Sequence, residues 1–191
     1  MSKTVKFLQP SFIAEKANEL LKKAEEEGFY DFNSPTPIDL IAESILGLRI
    51  VFEPNLDKDL NGVIGLLDTK SKIIWLDNSL NHLETGVFCD EVRCNNTICH
   101  EIGHHVLDHS SYEEGNLIAF HNELDSRTKK IETQANMFGV RLSMPYILLK
   151  RKWQKDFSYI ENKNDRITEM MNFFRVSRES MQYRLRDLEL L

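Results

Sequence analysis

Long apolar runs are missing from this chain of 191 residues. Charged residues return within a few positions everywhere, so no segment is built to span a bilayer. The opening "MSKTVKFLQPSFIAEKANEL" lacks the apolar stretch of a secretory signal, which implies a cytoplasmic protein. Cysteine is scarce: Cys89, Cys94 and Cys99 are odd in number and five apart. That spacing excludes a disulfide framework and a CxxC zinc site, leaving bystander thiols in a reducing compartment. Neither charge sign is in large excess. Thirty acids against 24 bases give a net charge of -6, the wrong sign for coating nucleic acid or an anionic membrane. There is no internal repeat and no low-complexity tract. What remains is ordinary: 41% hydrophobic and 28% charged residues describe a folded globular chain. At this length a domain buries roughly 70% of its unfolded surface, so stability alone requires no metal or disulfide.

The pattern predicts an α+β fold. "SFIAEKANELLKKAEEEG" spaces Ile13, Ala17, Leu20 and Leu21 as one helix face and stops at Gly28. "SPTPIDLIAESILG" announces a second helix, with Thr36 to cap it, Pro37 at its first turn and Gly47 to close it. "LRIVFE", "GVIGLLD" and "KIIWLD" read as a small three-stranded sheet, the last two joined by "TKS" as a hairpin. Asn78 to Arg93 reads as irregular, and "SSYEEGNLIAFHNELDSRTKK" as a surface loop. A helix over "KKIETQANMFGVRLSM" ends at Pro145, and two more lie near Ile167–Phe174 and Arg178–Leu188.

The chemistry sits in "ICHEIGHHVLDH", which holds four of the six histidines. His100 and His104 are four apart, so a helix projects both from one face, about 6 Å apart along its axis. Two imidazoles so placed can share one ion, and Glu101 beside them can reach a water without taking a ligand position. This is H-E-x-x-H, flanked by the apolar Ile98, Ile102 and Val106 that a buried helix needs. Gly103 costs the helix about 1 kcal/mol against Ala, which implies that something passes close by. His105 and His109 fall off the ligand face and read as bystanders. A metzincin would need Gly at position 107 and His at 110; Leu107 and Ser110 stand there. The third ligand is then a Glu. Glu113, Glu114 and Glu123 lie in the loop-like stretch, where a ligand is poorly held, whereas Glu132 lies on a helix. Glu132, Ala135, Asn136 and Gly139 share one face, and Asn136 can accept a hydrogen bond from the far ring nitrogen of a ligand histidine.

Three pieces, "RCNNTICHEIGHHVLDH", "IETQANMFGVRLSMP" and "FFRVSRESMQYRLRDLELL", resemble the ImmA/IrrE family of metallopeptidases, in the family's order and over most of the chain. Asn96, Asp108, Gln134 and Gly139 depart from the family's usual residues, and none is a proposed ligand. The resemblance implies a zincin-like core over residues 1–152 and a helix-turn-helix-like extension over 153–191 packed on it. It further implies a cytoplasmic zinc endopeptidase whose substrate is a helix-turn-helix repressor, with cleavage relieving repression. His100, His104 and Glu132 would hold Zn2+, with Mn2+ or Fe2+ able to occupy the same ligands, and Glu101 would be the general base. A candidate open edge at "KIIWLD" would take an extended peptide. Tyr112, His109 and Arg93 are candidate second oxyanion donors.

Two other readings stay in view: a structural metal site, which would favour closure by a cysteine, and a DNA-binding regulator using "MMNFFRVSRESMQYRL". From Asp165 to Leu191 five arginines face five acids, a neutral unit without the footprint that phosphate contacts need. The tail therefore reads as a packing element or a dock for the protein substrate, with Arg178 and Arg184 as its charges. Oligomeric state is not encoded in these features.

Overall fold

A computed structural model describes residues 8–60, 62–81, 86–109, 117–119 and 126–191. The first helix, α1 (Pro10–Glu26), starts on a proline and closes through Gly28 at φ +79°, buries Ile13, Ala17, Leu20 and Leu21, and packs on a later helix. The second, α2 (Ile38–Leu40), runs on as a π-helical turn (Ile41–Ile45). Thr36 does not cap it. Its hydroxyl donates instead to the Leu142 carbonyl at 2.9 Å, tying this turn to a residue far along the chain.

Strand β1 (Arg49–Glu53), short helix α3 (Leu56–Asp59), β2 (Gly65–Asp68) and β3 (Ile73–Asp77) follow. The expected β2–β3 hairpin forms, antiparallel, with Asp68 opposite Ile73. No glycine makes its turn. The Asp68 carboxylate accepts from the Lys70 and Ser71 amides and the Ser71 hydroxyl, and Lys72 takes the left-handed conformation at φ +56°. The three expected strands are joined by a fourth, β4 (Leu117–Ala119), inside the stretch read as loop, giving the order β1-β3-β2-β4. This corrects the open edge. β3 pairs in parallel with β1 and antiparallel with β2, so both its flanks are occupied, and among the described residues the edges fall to β1 and β4.

Helix α4 (Phe88–Val106) begins five residues before Arg93, inside the stretch read as irregular. From Ile98 to His104 every residue is buried, as expected of a helix enclosed on all sides. Ile98 and Ile102 each contribute about 1.5–3 kcal/mol by that burial. Helix α5 (Ser126–Ser143) packs along α4, and β2 crosses α4 on another side. The core so formed joins α1, α2, the sheet, α4 and α5.

A second apolar cluster gathers Met144, Leu148, Leu149 and Trp153 with Ile167, Met170, Phe174, Met181 and Leu185. It draws on α6 (Tyr146–Arg151), its π-helical continuation (Lys152–Asp156), α7 (Lys163–Phe174) and α8 (Arg178–Asp187). Asn162 caps α7 and Ser177 caps α8; Arg175, left-handed at φ +55°, makes the tight turn between them. Several arginines here are engaged within the protein. Arg166 donates to the Ser158 and Ile160 carbonyls, Arg175 pairs with Glu91 at 3.6 Å, and Arg178 donates to Thr168. Arg184 is buried against the Met144 carbonyl and Asp187, which corrects its reading as a docking charge. No helix among the described residues is long and apolar enough to cross a membrane.

Candidate metal centre

Helix periodicity turns His100 and His104 to one side, where their Nε2 atoms lie 2.9 Å apart. Helix α5 brings Glu132 against both: Oε2 is 3.0 Å from His100 Nε2, and Oε1 is 3.5 Å from His104 Nε2. Donor atoms of all three lie within 4.8 Å of one another, every one of the residues is buried, and the group could hold a metal ion. Two glycines permit this approach. A Cβ on Gly103 would lie 2.8 Å from the Ala135 carbonyl oxygen and 3.0 Å from its Cα; one on Gly139 would lie 3.2 Å from the Cys99 carbonyl carbon. Any side chain at 103 would push against backbone and drive Glu132 away from the histidines.

Burial pushes the Glu132 carboxyl upward, but His100 and His104 against it prevail and hold it at about 2, so it is ionised. Glu101 faces the opposite balance. It is 2% exposed, burial raises its pKa above the usual carboxylate range, and the neighbouring histidines only partly offset this. A hydrogen bond from the Leu67 main chain steadies it from β2, while Oε2 has no hydrogen-bond partner among the described residues. Beside it opens a cleft of about 330 Å³. Gly65 lines it from the sheet and Ile64 from just before β2, Asn96 and Thr97 from α4, Asn136 from α5, and His100 and Glu101 meet within it. Gly65 has to be small: a Cβ there would collide with the Thr97 methyl.

The hydrogen bond expected of Asn136 is present, from His100 Nδ1 to its Oδ1 at 2.9 Å. His109, read as a bystander, is not one. It is 1% exposed, its Nδ1 is 3.0 Å from His104 Nδ1, and its Nε2 is 3.0 Å from Gln134 Oε1. Burial, with His104 beside it, depresses its pKa to about 4, so the ring is neutral. Helix counting failed here because α4 stops at Val106 and Asp108 turns left-handed at φ +53°, folding His109 back onto His104. The available signal was Asp108 itself, a residue type that tolerates that conformation.

Of the other expected groups, Tyr112, Glu113, Glu114 and Glu123 lie outside the described residues. Arg93 is exposed, pairs with Asp90 at 3.8 Å and does not line the cleft. Cys94 and Cys99 are buried free thiols, and burial raises both pKa values, that of Cys94 to about 11. Neither joins the metal-ligating group among the described residues. No curated protein matches the chain. Residues 44–186, most of the chain and the whole cluster with it, match the family model Peptidase_M78, the IrrE N-terminal-like domain, and the chain belongs to that family.

Proposed function

We propose that this chain is a cytoplasmic zinc-dependent endopeptidase that cuts one protein partner, a helix-turn-helix repressor, and so relieves repression. The observation that carries the reading is the unpartnered Glu101 Oε2, buried beside three convergent donors. Two ring nitrogens 2.9 Å apart next to an ionised carboxylate share either a proton or a cation. The N,N,O set suits zinc in a site that keeps a position open, and manganese or iron would accept the same ligands. His100, His104 and Glu132 would hold the ion, which when bound supplies Lewis acidity and lowers the pKa of a water toward about 7. Glu101 then has the chemistry of a general base. Its raised pKa suits it to take the water's proton and return it to the leaving amine. The scissile segment would lie in the cleft beside Glu101, along Gly65.

Engagement of Arg166, Arg175, Arg178 and Arg184 within the protein favours packing or docking over DNA reading for the C-terminal helices. The test is to incubate the purified chain, Zn2+ and a repressor encoded beside it, then analyse the products by mass spectrometry. Discrete fragments should appear, vanish with 1,10-phenanthroline and return with added Zn2+. An intact repressor under all three conditions would sink the assignment of substrate, and fragments indifferent to the chelator would sink the metal.

A further inference from the structure

The proton positions around the two facing histidines can be worked out from their partners. Asn136 offers His100 a carbonyl oxygen, so His100 Nδ1 carries a proton, and in the metal reading its Nε2 is the nitrogen that gives a lone pair to the ion. His104 has no such simple partner. Its Nδ1 faces a ring nitrogen, which can accept or donate, and that contact alone fixes nothing. The far side of His109 decides. There Gln134 Oε1 can only accept, so of the two neutral tautomers of His109 this contact selects the one with its proton on Nε2. Its Nδ1 is left as an acceptor and takes the proton of His104 Nδ1–H. His104 Nε2 is then the lone-pair nitrogen, aimed at His100 Nε2 and Glu132.

Resting on the metal reading above, we propose that His109 is a positioning residue for the metal centre: with Gln134 it holds His104 in the tautomer and orientation that present Nε2 to the ion. The relay also ties the turn after α4 to α5. Glu132, Gln134 and Asn136, at alternate positions of one helix, meet respectively both histidines, His109 and His100. Partners of this kind are typically worth about 10–100-fold in metal affinity.

The experiment titrates the full chain with Zn2+ against a chromophoric chelator and records the visible spectrum of the Co2+ form. His109→Phe keeps the ring volume and loses both hydrogen bonds; Zn2+ affinity should fall about 10–100-fold and the Co2+ bands should shift. His109→Gln can accept from His104 and donate to Gln134, so it should recover most of the affinity and the wild-type spectrum. A residue that only filled space would give the reverse order, with Phe near wild type, and that result overturns the proposal. If the Phe variant does not fold, Gln134→Met decides: weakened Zn2+ binding supports the relay, and unchanged binding overturns it. A wild-type chain that fails to take up Zn2+ would remove the metal reading itself, whereas tight wild-type binding left intact in His109→Phe removes this inference alone.

Discussion

Glu101→Gln is expected to lower cleavage of the protein substrate by about 10²–10⁴-fold while leaving fold and metal content unchanged. Gln matches Glu in shape, and Glu101 stands outside the group His100, His104 and Glu132, so the donors lose nothing. The Leu67 main-chain hydrogen bond can be kept by the amide oxygen. What disappears is the capacity to accept and return a proton. Burial already works against the charged carboxylate, so the neutral amide should melt at the same temperature or slightly higher, the usual exchange of activity for stability. Zinc content by mass spectrometry, a thermal melt and fragment yield together check this. Equal fragment yields from both proteins would mean that cleavage happens elsewhere.

The second large effect is on stability. Arg184 is 5% exposed; its Nη1 donates to Asp187 at 2.6 Å and its Nε to the Met144 carbonyl at 3.4 Å, with Arg141 approaching the same Asp187 at 3.5 Å. Arg184→Glu would strip Asp187 of its nearest cation and bury a second carboxylate beside it. A carboxylate forced into so buried a position costs several kcal/mol, a large share of a typical domain's roughly 5–15 kcal/mol. The urea midpoint should fall accordingly. Arg178→Glu, at a half-buried position bonded to Thr168, should cost less than about 1 kcal/mol. Equal midpoints for wild type and Arg184→Glu would refute the structural role. Loss of substrate processing in the Arg184 variant therefore carries no information about docking, whereas the Arg178 variant can report on it.

Most of the helices and the candidate ligand group were readable because their signals are local. The spacing of His100 and His104, the small residues 135 and 139 beside Glu132, and the apolar face of α1 all act within a turn or two. Sheet order is not local. Nothing within "KIIWLD" says that β1 returns in parallel on one flank while β2 lies on the other, and β4 is too short at three residues to stand out from the polar sequence around it. Thr36 carries every mark of a cap, yet its best acceptor, Leu142, lies over a hundred residues away. His109 was lost to the assumption that a helix continues, which one left-handed residue ends.

The fourth strand gives the sheet two unequal sides. β4 holds to β2 through three residues, whereas β2 is held to β3 by four pairs and backed by α4. Native proteins open in units whose free energies run from near zero up to the global value, and a three-residue edge belongs at the low end. Amide protons shared between β2 and β4 therefore trade with solvent far sooner than those shared between β2 and β3. Peeling away β4 would free the partner side of Leu67, the residue whose main chain steadies Glu101 from the sheet, so the edge and the proposed base are linked through one residue.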